Sequence, residues 1–173
     1  MHADIVPGEQ IITRVAGGFD GLYHFYKDPD LFNNEALASV FMNHTGWNKC
    51  LAEPYFIKGS DSLFQLLSEP GTIPGITIST PGFYAPQVRS IRLSPFDSEL
   101  VTKLGTFRFE GMRINNFEME SSALYALSAL LNHQAITICV AIANRVSLEF
   151  LEDYHGAIDA LISMVLNKLT QND

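Results

Sequence analysis

Cysteine is scarce in this 173-residue chain: Cys50 and Cys139 stand far apart, with no further Cys or His at zinc-ligand spacing. Two such residues build neither a disulfide framework nor a zinc site, and both read as reduced thiols of a cytoplasmic protein. Charge is thin as well, at 17% of residues against about 25% in an average soluble domain. That shortage implies surface laid against other layers or other subunits, so a homo-oligomer is expected. Basic residues are few and scattered, 11 Lys and Arg against 19 Asp and Glu for a net charge of -8, which leaves no electrostatic footprint for a nucleic-acid backbone. No run of about 18 apolar residues is present to span a bilayer. The first ten residues have neither the basic region nor the apolar stretch of a signal peptide. Nucleic-acid binding, membrane insertion and secretion are all disfavoured.

Apolar residues, by contrast, make up 47% of the chain, enough to bury the core of one domain. Pro7-Gly8 marks a turn, and Ile11, Ile12 and Val15 a short buried strand. The stretch from Gly17 to Asn34, rich in Gly, Asp and aromatics, reads as a packed loop. Asp61 to Ser68 reads as a helix capped by Ser60, Ile73 to Thr80 as a strand, and Phe96 to Leu104 as a helix served by Ser94 or Ser98. Ala123, Leu124, Leu127, Leu130 and Leu131 recur at helical spacing and predict a helix over Met119 to Asn132. The continuous apolar run Ala135 to Ala143 predicts a strand buried on both faces. Asp153 to Leu169 returns to helical spacing. Alternating strands and helices place the chain in the α/β class. Only Glu69 to Gly75 resembles a linker, so residues 1–173 form one domain or part of one.

Two segments carry more polar chemistry than a purely structural chain needs. The first follows the strand ending at Thr80 and reads Gly-Phe-Tyr-Ala-Pro-Gln-Val-Arg over 82–89. In open α/β sheets, ligands bind at the carboxyl ends of strands. Gln87 and Arg89, two residues apart, can point to one side of an extended loop beside Phe83, an arrangement suited to a flat heterocycle with adjacent carbonyl and N–H groups. An ordinary surface turn with a solvated Arg is the bland alternative. The second segment, Asn-Asn-Phe-Glu-Met-Glu-Ser-Ser over 115–122, opens the apolar helix. Acidic residues favour a helix's first turn, which accounts for Glu118 and Glu120 without a ligand. A Met between two carboxylates also suits the partly apolar, polyhydroxylated face of a sugar.

Phe83, Tyr84, Gln87 and Arg89, followed by Asn-Phe-Glu-Met-Glu-Ser at 116–121, resemble the base-binding and ribose-binding motifs of uridine phosphorylases. The likeness extends to Asp20-Gly21-Leu22-Tyr23-His24-Phe25, to Ala143-Asn144-Arg145 and to the final helix, and is loosest over 28–58. The resemblance implies a three-layer phosphorylase-type sandwich around a central mixed sheet, with the N-terminal strands missing. It implies that Gln87 and Arg89 grip the uracil edge and that Phe83 packs on the base. Glu120 and Met119 would meet the ribose, Glu118 support it, and Arg145 orient the base loop. Phosphate would be the co-substrate, with no other cofactor and no metal, and the assembly a dimer or hexamer.

Glu-Met-Glu is shared across the nucleoside phosphorylase superfamily, whereas Gln-x-Arg is more discriminating. Purine members use an Asp to protonate the ring. The matching position is Asn144, which cannot act as a general acid, and this favours a pyrimidine. Phosphorylases or nucleosidases of purine and other nucleosides, and a non-catalytic nucleoside-binding remnant, stay open as alternatives. Two departures bear on base preference: Ala85-Pro86 replaces the family's Pro-Gly, and Val88 replaces an acid before the Arg. The glycine-rich turns and arginines of the family's phosphate subsite have no counterpart, so a fragment of a longer phosphorylase is expected, inactive alone, with an exposed sheet edge.

Overall fold

In the computed structural model, the described residues are 2–27 and 32–170. The elements in chain order are β1 (Gln10–Gly18), α1 (Glu35–Thr45), β2 (Tyr55–Lys58), α2 (Asp61–Leu67), β3 (Ile73–Ser79), α3 (Leu100–Thr106), β4 (Arg108–Phe109), β5 (Met112–Glu118), α4 (Ser121–Leu130), β6 (Ile138–Val140), β7 (Ala143–Asn144), β8 (Glu149–Phe150) and α5 (Tyr154–Thr170). Strand β1 is the hub of a mixed sheet ordered β2-β1-β3-β5-β4. It pairs in parallel with β3 from Ile11 opposite Ile73 to Gly18 opposite Ser79. Its other side is shared by two short antiparallel partners, β2 along Val15–Gly18 and β6 along Gln10–Ile12.

Alternation along β1 divides the core into two layers. Val15 joins Phe41, Phe56, Ile78, Leu104 and Phe107 under α1 and α3. Its neighbour Ala16 joins Tyr55, Ile57, Tyr125 and Ala126 under α4. Tyr125 fastens α4 to the sheet, its hydroxyl donating to the Thr13 carbonyl at 2.8 Å and accepting from the Thr137 N–H at 2.9 Å. Gly17 and Gly18 lie inside β1, not in a loop, because large rings press on them. A Cβ at Gly17 would sit 2.6 Å from the Phe56 ring, and one at Gly18 would run into Tyr55.

Several expectations hold and others are corrected. Helix α2 carries its Ser60 cap, which accepts from the Leu63 N–H at 3.2 Å, and β3 and α5 fall where the pattern puts them. The expected loop over 17–34 instead begins inside β1 and contains a 3-10 turn at Leu22–Phe25; its residues 28–31 lie outside the described ones. Helix α3 starts at Leu100, after Glu99, and neither Ser94 nor Ser98 caps it. Helix α4 starts at Ser121, since 112–118 is strand. The apolar run 135–143 yields only the three-residue edge strand β6, half-buried throughout. Its apolar side chains wall a cleft instead of filling a two-sided core.

Candidate active site

The loop after β3 folds back on itself through a 3-10 turn at Ala85–Gln87 that ends on Val88 at φ +58°. This brings Gln87 inward, to 3% exposure. Its Nε2 donates to Thr80 Oγ1 at 3.1 Å, and its Oε1 accepts from Arg145 Nη2 at 3.1 Å. Arg145 Nη1 donates to the Gln87 main-chain carbonyl as well, so one guanidinium holds both the loop and its side chain. One N–H and one lone pair of the Gln87 amide are left over.

Arg89 lies with its Cζ 3.9 Å from the centroid of the Phe83 ring. Its buried Nε has no hydrogen-bond partner among the described residues. Neither Arg89 nor Arg145 forms an ion pair among those residues. Burial lowers the pKa of both, and the charge of Arg89 helps to bring Arg145 down to about 10. Two guanidiniums half withdrawn from water with no carboxylate between them are electrostatically unsatisfied. They favour an electron-rich oxygen placed beside them.

Across the cleft, β5 ends at Glu118 and α4 begins after Glu120. Glu118 Oε2 accepts from the Glu120 N–H at 2.9 Å and the Ser121 N–H at 2.7 Å, and Oε1 accepts from Ser79 Oγ. This carboxylate caps α4 from the strand end, a different position from the helical first turn read from sequence. Among the described residues Glu120 takes only the Met119 N–H, at 3.2 Å, and Met119 is 41% exposed. The free part of the Glu120 carboxylate and the Met119 side chain therefore face the cleft.

The cleft itself measures about 640 Å³ and is lined by Phe83, Gln87, Arg89, Glu118, Met119, Glu120, Asn144 and Arg145, with β6, Ile5 and Phe150 completing the wall. The residues read as substrate-binding thus meet around one space, although they come from three distant segments, while Tyr84 of the same motif does not line it. Among the described residues no cluster of His, Cys, Asp and Glu is placed to hold a metal ion. No described helix is long and apolar enough to cross a membrane.

No family model matches the chain. Over 76 residues, 44% of this chain and 27% of its relative, it is 38% identical to a uridine phosphorylase of Thermococcus kodakarensis. Among solved structures it is similar to a Trypanosoma brucei nucleoside phosphorylase that shows uridine phosphorylase activity, with a TM-score of 0.81 at 22% identity over 98% of this chain and 60% of that one. It is similar also to the uridine phosphorylase of Schistosoma mansoni in complex with uracil, with a TM-score of 0.61 at 20% identity over 98% of this chain and 56% of that one. The chain thus shares its fold with these nucleoside phosphorylases over nearly its whole length. It spans little more than half the length of these solved relatives.

Within this cleft the bonds constrain two residues of the sequence reading. Asn144 lines the cleft, but Nδ2 donates to the carbonyls of His2 at 2.9 Å and Ile5 at 2.7 Å. Its Oδ1 accepts from the Val146 N–H at 2.8 Å and the Ser147 N–H at 3.3 Å. Two donors and two lone pairs are an amide's whole capacity, so Asn144 ties the N-terminal segment to the β7–β8 turn and has nothing left for a ligand. Phe83 has one ring face under Arg89 and Tyr84 edge-on at 5.6 Å, which leaves only its far face for a base. Sequence reasoning gave Ser79 and Thr80 no role, and Asp20 none beyond its place in the likeness. The available signal was the pair of hydroxyls that closes the strand.

Proposed function

We propose that the cleft binds a pyrimidine nucleoside, and that the chain carries the nucleoside-gripping part of a phosphorylase converting uridine and phosphate to uracil and ribose 1-phosphate. The observation that carries this reading is the make-up of the cleft: two guanidiniums without ion pairs among the described residues, a flat aromatic against one of them, and the Glu118 and Glu120 carboxylates lining the same space. Breaking a glycosidic bond calls for groups of both signs, since it moves positive charge onto the ribose and negative charge onto the departing base.

Arg89 and the remaining N–H of Gln87 meet the uracil carbonyls, and Arg145 holds Gln87 in place. Glu120 accepts from ribose hydroxyls while Met119 packs on the sugar. As the bond lengthens and phosphate approaches the anomeric carbon from the opposite face, the growing negative charge on uracil is stabilised more than neutral uridine is. One such preplaced donor is worth roughly 3–4 kcal/mol in the transition state. The 173 residues alone are proposed to bind nucleoside without turning it over, because the phosphate-gripping turns and arginines have no counterpart in the sequence. Exposed Ile91, Leu93 and Phe96 offer apolar surface for the assembly into dimers or hexamers that the resemblance implies.

Calorimetric titration with uridine and with uracil, each with and without phosphate, tests the reading, with inosine as competitor and Arg89→Ala as control. Binding of uridine and uracil that ignores phosphate and vanishes in the variant is expected. Well-folded protein that binds neither, or that prefers inosine, refutes it.

A further inference from the structure

We propose that Ser79 and Asp20 are positioning residues for the sugar end of the cleft, acting through a buried relay that locks Glu118 and so presents Glu120 to the ribose. The proposal rests on the nucleoside reading above and concerns residues that touch no ligand in it. Ser79, wholly buried at the end of β3, donates through Oγ to Glu118 and accepts at the same atom from the Ser122 N–H at 2.8 Å. Ser122, also wholly buried, donates from its own Oγ to Asp20 Oδ2 at 2.8 Å. Asp20 Oδ1 in turn accepts from the Tyr55 hydroxyl at 2.9 Å and from the Leu22 N–H at 2.6 Å. Burial pushes the Tyr55 hydroxyl well above its ordinary range, which keeps its proton on and its role that of donor.

The consequence is a division of labour between two acids that residue type alone does not separate. Glu118 has both oxygens engaged, one by Ser79 and one by two main-chain N–H groups at the start of α4. A carboxylate so held is an anchor, and cannot follow a ligand. Glu120, two residues further on, has its backbone N–H fixed by the Glu118 anchor and keeps one carboxylate oxygen without a partner among the described residues. Asp20 extends the same lock into the core layer under α4: the Tyr55 ring lies against Gly18 and stacks on Tyr23 at 5.3 Å, so the far end of the relay is as rigid as the core. Buried networks of this kind act through geometry, since every member is satisfied only in one arrangement. The base loop hangs on Thr80 and Arg145, and Thr80 meets the turn only at the Glu118 main-chain carbonyl, not at the carboxylate that the relay holds. Loosening the relay therefore disturbs the sugar end and leaves the base end in place.

The experiment compares uridine and uracil affinities of the wild-type chain with those of Ser79→Ala, Asp20→Asn and the hydroxyl-restoring Ser79→Thr. Amide hydrogen exchange at Glu120 and Ser121 is followed in the same samples. Ser79→Ala is expected to weaken uridine about tenfold, the size of one buried bond left unmade, with uracil unchanged within about twofold. Ser79→Thr is expected to recover most of the loss, and exchange at the two amides to quicken in Ser79→Ala. Should Ser79→Ala fail to fold, the same split between uridine and uracil is read from Asp20→Asn. Equal weakening of both ligands, or unaltered exchange, overturns the proposal. A wild-type chain that binds neither ligand defeats the nucleoside reading itself, while the exchange data still decide whether the relay holds the turn.

Discussion

Replacing Arg89 by Met should weaken ligand binding and raise thermal stability in the same protein. The guanidinium is half-buried, has an unpartnered Nε, and sits beside a second cation, Arg145, whose pKa it helps to depress. A buried donor without a partner costs about 1–3 kcal/mol. The stack on Phe83 returns only about 0.5–1 kcal/mol, and a Met side chain keeps much of that contact. The fold should gain about 1 kcal/mol, or about 2–4 °C in Tm for a domain of this size. Binding moves the other way. A charge-assisted hydrogen bond is worth about 1.5–3 kcal/mol, so uracil affinity should fall by about 10- to 150-fold. Calorimetric titration and thermal melts on one preparation give both numbers. A Tm several degrees lower would show Arg89 holding the fold together, and unchanged uracil affinity would remove it from the site; either result refutes the argument.

Burial and the nearby Arg113 hold the His2 pKa below its ordinary 6.5 while its ring bonds the Ile114 carbonyl at 2.9 Å. The folded state therefore binds less proton, and the stability it has above pH 6.5 is lost as pH falls toward the folded pKa. Melts at pH values on either side of that point should show the wild type losing more than His2→Gln, which keeps an N–H donor without a charge; parallel losses would refute it. Burial first, and then the neighbouring Glu118, pushes the Cys139 thiol up to about 12, whereas Cys50 is exposed. Iodoacetamide at neutral pH should therefore give a single adduct by mass spectrometry, at Cys50. Asn144→Asp, the purine-type residue, should create no purine activity: a carboxylate would face the His2 and Ile5 carbonyls, each left without its donor at roughly 1–3 kcal/mol. Thermal melts and an inosine assay check it, and inosine turnover with an undiminished Tm would refute it.

Elements with one exposed and one buried face were legible in the sequence. Helices α2 and α5 announced themselves by apolar spacing, α2 by its Ser60 cap as well. Strand β5 was not legible, because 112–118 carries Arg113, Asn115 and Asn116 in a position where β-branched residues mark a strand. Those polar side chains are paid for by partners distant in sequence. Thr77 Oγ1 donates to Asn116 at 2.8 Å, and Arg113 forks onto Asp4 at 3.0 and 2.8 Å. Helix α1 was missed for the opposite reason: Leu37, Ala38 and Phe41 supply its buried face, but its only start signal is Asn34, whose Oδ1 accepts from the Leu37 N–H at 3.0 Å. The run 135–143 misled because apolarity reports contact with something other than water, and cannot say whether that is a core or the wall of a cleft.

At the site, residue types proved easier to read than roles. Gln87 and Arg89 share a loop and one expected task at the uracil edge, while the resemblance sets Glu120 on the ribose with Glu118 in support. The bonds separate them. Gln87 is tied at both ends of its amide while Arg89 is tied nowhere beyond a ring face, and Glu118 is fully engaged while Glu120 is half free. Asn144 is the sharpest instance. Read through the resemblance, its identity removes a proton donor that purine members have, an inference that counts only where the side chain reaches a ligand. Its placement on the ligand is another matter, because a four-bonded amide inside the cleft wall has no capacity to offer. In the structure Asn144 shapes the cleft by holding residues 2–5 against β7, and selects a ligand only through that shape.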